Sequence, residues 1–197
     1  MTLASWRGGQ LQFLIGPKTG ATRRLQQRLE KKNGADDIRI LLEGPYGHSH
    51  NLQHIDRILL VAGGSGITAI MPYFAKYGDR CSIVWTVSHE DYATDVLRNE
   101  LAGGEVQVYI NREDAEASSS PVPSDKERES SHQVSHARPS MAAVVSKATN
   151  DLIGGERLAI LTCGPGAMMD DTRAAVVAGY GRFLADQIEY FEEAFGW

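Results

Sequence analysis

The chain has 197 residues, 42% apolar and 23% charged, with a formal net charge of −5. That length allows one full core with a smaller attached piece, and the acidic balance argues against non-specific nucleic-acid binding, which wants a basic face. Two cysteines beside apolar runs, Cys81 and Cys163, argue against a disulfide framework, and with no run near the roughly 20 apolar residues of a membrane span and no apolar signal segment the chain reads as soluble.

Residues 3–15, with QLQFLI around 10–15, read as a hairpin or two strands. Thr22 opens a basic helix, TRRLQQRLEKK, with Leu25 and Leu29 on one face, and Asn33-Gly34 stops it. Ile38–Leu42 reads as another strand, followed by the turn Glu43-Gly44-Pro45-Tyr46-Gly47. These strands are too few to close a sheet of their own and look like the end of a β-barrel. From Ile55 the pattern becomes βα alternation. Strands Ile58–Ala62, Ser82–Val87, Val106–Ile110 and Leu158–Leu161 alternate with helices Ile67–Lys76, Asp91–Leu101, Ala142–Leu152 and Ala167–Val177, and the tail Ile188–Trp197 follows. Short apolar strands between amphipathic helices predict an α/β fold with a parallel sheet covered on both faces. Residues 113–137 are rich in Ser, Pro and charge and hold almost no large apolar side chain. Such a stretch cannot bury enough surface to order itself and reads as a disordered insertion, with a phosphorylation segment as the alternative.

The chemistry concentrates at two strand ends. Ile58–Thr68, ILLVAGGSGIT, is an apolar strand breaking into a glycine turn and then a helix. Leu158 onward, LAILTCGPGAMMDD, repeats the plan at Cys163-Gly164-Pro165-Gly166. Turns of this kind present bare backbone N–H groups at a helix N-terminus, where a pyrophosphate can sit. Two of them in one α/β unit predict a cleft for a nicotinamide dinucleotide. A lone glycine turn can equally serve tight packing without a ligand. Thr68 is placed to cap the helix and to meet a phosphate. Cys163 also fits an ordinary buried cysteine, and a nucleophilic role is not expected of it. Gly20 and Thr22 fit a plain helix start. Arg112 fits either a solvated charge or a partner for a 2′-phosphate. His48, His50 and His54 cluster in HSHNLQH, in a polar loop after a turn, and no metal site is assigned to them.

At Gly63-Gly64-Ser65-Gly66-Ile67-Thr68, Cys163-Gly164-Pro165 and the ending Glu193-Ala194-Phe195-Gly196-Trp197, the chain resembles the C-terminal part of fungal ferric-chelate reductases. That family belongs to the wider group that includes the NADPH oxidases and ferredoxin–NADP reductase. EGPYG resembles the family's junction between FAD barrel and nucleotide domain, and KTGATRRL its flavin-pyrophosphate stretch. Thr2-Leu3-Ala4-Ser5-Trp6 resembles the tail of its flavin-contacting His-Pro-Phe-Thr segment, whose His, Pro and Phe have no counterpart here.

The resemblance implies a ferredoxin–NADP reductase-like NAD(P)H-binding domain over 51–197, preceded over 1–50 by the C-terminal remnant of an FAD-binding barrel, in an N-terminally truncated chain. It implies that Gly63, Gly64, Ser65, Gly66, Ile67 and Thr68 hold the NADPH pyrophosphate and ribose. It places Cys163 beside the nicotinamide, with Gly164, Pro165 and Gly166 shaping that pocket. Phe195 and Trp197 would cover the flavin ring, and Thr2, Ser5, Gly20 and Thr22 would contact FAD, held weakly by so little barrel. Arg112 or Arg138 would meet the 2′-phosphate. Relatives often carry an Arg where this chain has Ser88-His89, so NADPH against NADH stays open. Glu192 and Glu193, just before these aromatics, read either as orienting the site or as a solvated helix face, and stay outside the catalytic set.

The family carries electrons from NADPH to FAD and on through membrane haems to a metal chelate. The haem-bearing helices are not in this sequence, so haem is expected only in full-length relatives. The expected function is the NADPH module of a ferric-reductase-type oxidoreductase, cytosol-facing. Membrane association would come only through a missing or partner membrane domain, and the acceptor would be a ferric chelate, with cupric ion or oxygen open. The alternatives are a non-catalytic nucleotide-binding fragment and a soluble reductase component that borrows a partner's flavin domain. Gly64→Val is expected to block nucleotide approach at little cost to folding.

Overall fold

A computed structural model describes residues 2–7, 10–15, 19–41, 43, 49–90, 93, 94, 96, 101, 105–111, 132–179 and 187–193. Its centre is a six-stranded parallel sheet built from β3 (Arg57–Gly63), β4 (Cys81–Val87), β5 (Glu105–Ile110), β6 (His132–Ser135), β7 (Leu158–Cys163) and β8 (Ile188–Glu192). The strand order is β6-β5-β4-β3-β7-β8. The chain therefore steps outward from β3 to β6, then returns to the other side of β3. The reversal falls between β3 and β7, which pair directly, Ala62 with Cys163. Crevices for ligands form beyond the strand ends at such a reversal.

Strand alternation divides the core. Ile58, Leu60, Ala62, Ile83, Trp85 and Val87 face one layer, which holds α2 (Ile67–Tyr77) with Leu52 and Ile55. Leu59, Val61, Val84 and Ile160 face the other, with α3 (Met141–Asn150) and α4 (Gly166–Gly179). Each position along a strand points opposite to its neighbour, so near-continuous apolar runs such as ILLVA are what a sheet covered on both faces requires. The parallel sheet and its mixed α/β setting match the expectation from sequence.

The N-terminal part differs. β1 (Thr2–Arg7) and β2 (Gln10–Leu14) form an antiparallel pair with an irregularity between Leu3 and Ser5. β1 lies against α2. α1 (Ala21–Lys31) buries none of its residues. The described strands here form a pair and no closed barrel.

Four local expectations are corrected. Residues 35–41 form no strand where Ile38–Leu42 was expected, and Leu41 is 98% exposed. An apolar, β-prone run becomes a strand only with a ladder partner, and none pairs with it among the described residues; Leu42 lies outside them. His132–Ser135, inside the stretch read as a disordered insertion, is β6 and pairs with β5. A parallel edge ladder uses backbone groups and asks little of side chains, as the 48% exposure of Val134 illustrates. The tail Ile188–Trp197, given no element by sequence, contributes β8, so Glu192 lies on a strand and not on a helix face. Thr22 does not open α1: Gly20 is the N-cap, with φ of 69°, and the Thr22 hydroxyl donates to the Thr19 carbonyl at 3.3 Å. Of helix Asp91–Leu101, Ala93, Thr94 and Val96 are helical and its other positions, save Leu101, lie outside the described residues.

Candidate nucleotide-binding edge

The two glycine turns meet at the C-terminal edge of β3 and β7. A Cβ placed on Gly164 would lie 2.9 Å from the Gly63 nitrogen and 3.0 Å from its Cα. One on Gly63 would strike the Pro165 ring at 2.5 Å, and one on Gly66 would overlap the Cys163 carbonyl. Gly63, Gly66 and Gly164 are therefore glycines so that the two turns can pack against each other. Gly64 differs: its φ is +53°, and nothing lies within 4 Å of where a Cβ would be. Gly166 is likewise open. With exposed Ser65 and Pro165 and half-buried Gly164, they form an accessible lip over a packed base.

The lip is held from below. The Trp85 indole N–H donates to the Gly64 carbonyl at 2.9 Å, and Trp85 itself is fully buried. The turn at Gly64–Gly66 is a short 3-10 helix that runs into α2, whose N-cap Gly66 supplies no side-chain cap. α3 begins differently, with the Ser140 hydroxyl accepting from the Ala143 N–H at 3.3 Å. Thr68 does not cap α2 as expected. It lies inside the first turn, 1% exposed, and its hydroxyl donates to the Ser65 carbonyl at 2.9 Å. Ile67 is buried and belongs to the core.

Cys163 is 1% exposed, and its thiol is pushed up to about 12, first by burial and then by the charge of Glu193. It stays protonated at neutral pH, which suits packing or contact with a ligand and not nucleophilic attack. Glu193 follows β8 and extends the ladder, its N–H donating to the Thr162 carbonyl at 2.9 Å. Its carboxylate accepts from the Tyr73 hydroxyl at 3.4 Å and lies 3.6 Å from His50 Nε2. The His50 ring packs on Phe191, centroids 4.1 Å apart. Sequence reading left Glu193, Tyr73, His50 and Trp85 out of the site. The signal for Glu193 is the pairing of Thr162 with Glu192, which appears only once β8 is placed beside β7. Glu192 turns away, gripped by Arg173 at 2.7 and 2.8 Å and by the Tyr190 hydroxyl at 2.7 Å, and its carboxyl is lowered chiefly by the Arg173 bond.

Arg138 precedes α3, is exposed, and stands 3.7 Å from Asp171 of α4. Thr2 and Ser5 sit on β1, opposite Leu14 and Gln12. Gly20 and Thr22 sit at the exposed start of α1. Arg112, Phe195, Trp197 and His48 lie outside the described residues. Among those described, no group of three or more His, Cys, Asp or Glu is arranged for a metal ion, and no helix is long and apolar enough to cross a membrane.

A cavity of about 350 Å³ opens at the opposite edge, lined by the starts of β3, β4, β5 and β7 and by α3. Two ion pairs stand on its rim, Arg57 with Glu156 at 3.0 Å and Lys147 with Asp151 at 2.9 Å. The C-terminal edge is preferred as the site because it alone combines the chain reversal, two glycine turns and an open lip.

No protein-family model matches the chain. Among curated proteins it is similar to three from Saccharomyces cerevisiae. Ferric reductase transmembrane component 6 is 27% identical over 96% of this chain and 30% of its own length. Component 5 is 23% identical over 96% and 30%, and component 3 is 24% identical over 97% and 31%. The chain is thus distantly related to the yeast ferric reductase transmembrane components and spans about a third of their length.

Proposed function

We propose that this chain is the NAD(P)H-binding module of a ferric-reductase-type flavoprotein oxidoreductase. One observation carries the reading: the Gly63–Gly66 and Cys163–Gly166 turns pack together at the reversal of the sheet, leaving Gly64 and Gly166 open. The donor set fits a dinucleotide. Gly64 and Gly166 allow a pyrophosphate to approach backbone closely, and the helix start beside them carries no side-chain cap, its Ile67 amide being held by the Gly64 and Ser65 carbonyls. Ser65 adds an exposed hydroxyl beside them. Arg138 is the described cation proposed for a 2′-phosphate, with Asp171 beside it to be displaced. Cys163 would form the apolar wall against a nicotinamide ring, and the C-terminal aromatics Phe195 and Trp197 are proposed for the flavin side. When bound, NADPH supplies a hydride that a flavin accepts. In a complete protein like the relatives, electrons would continue through haem toward ferric iron.

Thr2, Ser5, Gly20 and Thr22 are the proposed flavin contacts. Because α1 buries none of its residues, a second reading is a nucleotide-binding module that acquires its flavin from another polypeptide or carries none. Calorimetric titration with NADPH and with NADH, after a visible spectrum, tests both. Micromolar NADPH binding at one site is expected, weaker for NADH. A folded protein that binds neither nucleotide removes the first reading. A colourless protein that binds NADPH selects the second.

A further inference from the structure

α2 carries Tyr73 and Tyr77 one helical turn apart, and each receives a backbone N–H from the segment entering β3. His50 N–H donates to the Tyr73 hydroxyl at 3.1 Å, and Leu52 N–H to the Tyr77 hydroxyl at 3.2 Å. The spacing matches geometrically. Four residues of helix rise about 6 Å, and two residues of extended chain span about 6.6 Å. The two phenols thus grip alternate amides of an extended strand of chain.

The two tyrosines are not equivalent. A backbone N–H can only donate, so the Tyr73 oxygen accepts from His50. Its single proton is then directed to the Glu193 carboxylate at 3.4 Å. Burial first, and then the adjoining carboxylate, raises the Tyr73 phenol, so it keeps that proton at neutral pH. One hydroxyl thereby joins three segments: the entry to β3, helix α2, and the residue after β8. Glu192 pairs with Thr162 and the Glu193 N–H donates to the Thr162 carbonyl, so Glu193 stands at the register position next to Cys163 on the neighbouring strand, where its charge adds to burial in raising that thiol. The His50 ring closes the arrangement by packing on Phe191.

We propose that Tyr73 is a positioning residue of this edge: its hydroxyl holds the Glu193 carboxylate beside Cys163 and ties the His50–Leu52 segment to the same place. The role rests on the nucleotide reading for its purpose, and on the hydrogen bonds alone for its existence. Removing the hydroxyl frees the carboxylate to turn into solvent, and the negative charge near the thiol is lost.

The test uses Tyr73→Phe, with Tyr77→Phe as control. Both keep the ring and lose one bond to the same segment, so both are expected to lower Tm by a similar few degrees. Iodoacetamide alkylation at pH 9, mapped by mass spectrometry, reads Cys163 against the second buried thiol, Cys81, as an internal measure of general opening. The Cys163-to-Cys81 rate ratio is expected to rise about threefold in Tyr73→Phe and in Glu193→Gln, and to stay unchanged in Tyr77→Phe. The double variant Tyr73→Phe/Glu193→Gln is expected to add nothing, because both act through one carboxylate. Equal ratios in Tyr73→Phe and Tyr77→Phe overturn the proposal. NADPH affinity is read in parallel, with weakening of about fivefold expected only in Tyr73→Phe. If wild type does not bind NADPH, the nucleotide reading fails while the alkylation ratio still decides the positioning role.

Discussion

The two edges of one sheet differ in how they would hold a ligand. The N-terminal edge has the volume, about 350 Å³, and a ring of charges. Some of those charges are engaged with each other, in Arg57–Glu156 and Lys147–Asp151. The base of the C-terminal edge is three closely packed glycines, Gly66 against the Cys163 backbone, Gly164 against Met168 and the Gly63 backbone, and Gly63 against Pro165 and Met168, and its lip is open at Gly64 and Gly166. The lesson is about approach: positions where a Cβ would meet nothing let a ligand come close to backbone, whereas paired surface charges already have their partners.

The sharpest way to break this contrast is Gly66→Ala. Its methyl would overlap the Cys163 carbonyl, and backbone cannot step aside cheaply. A loss of about 3 kcal/mol is expected in urea unfolding, and a loss below about 1 kcal/mol would mean the two turns are not packed as described. Gly64→Ala separates packing from approach. Nothing crowds its Cβ, but its φ of +53° is left-handed, so it should cost about 1–2 kcal/mol with the fold retained and NADPH affinity lowered at least tenfold. This revises the expectation that Gly64→Val would cost folding little, since a β-branched residue is worse still at positive φ. The smallest effect belongs to the other edge. Lys147→Met should change stability by no more than about 0.5 kcal/mol and leave NADPH affinity within twofold in the same titrations. A large loss of binding there would move the site to the N-terminal cavity.

Much of this was legible in residue order. ILLVAGGSGIT and LAILTCGPGAMMDD each announce a buried strand, a turn and a helix, because apolar runs and glycines have local consequences. That is why the central strands and helices α2 and α4 were placed within a residue or two of where they lie. Ile38–Leu42 misled because its apolar pattern is local whereas a strand's partner is not. β6 hid within polar chain because its ladder uses backbone. Thr68 reads as a cap from its place at the start of a helix, yet the Gly64–Gly66 turn begins four residues earlier and its hydroxyl donates inside, to Ser65.

The sequence by itself determined the βα alternation, the two glycine turns and the likeness to the ferric reductases, since each rests on short-range pattern. Only the tertiary structure decided which glycines are for packing and which are open, Gly64 and Gly166. That distinction depends on what the opposite turn brings within 3 Å, not on the glycine's neighbours in the chain. It also decided that Glu193, read as a solvated carboxylate, stands among Tyr73, His50 and Cys163. Register pairing of β7 with β8 carries it there, and no spacing along the chain encodes a meeting of residues 50, 73, 163 and 193.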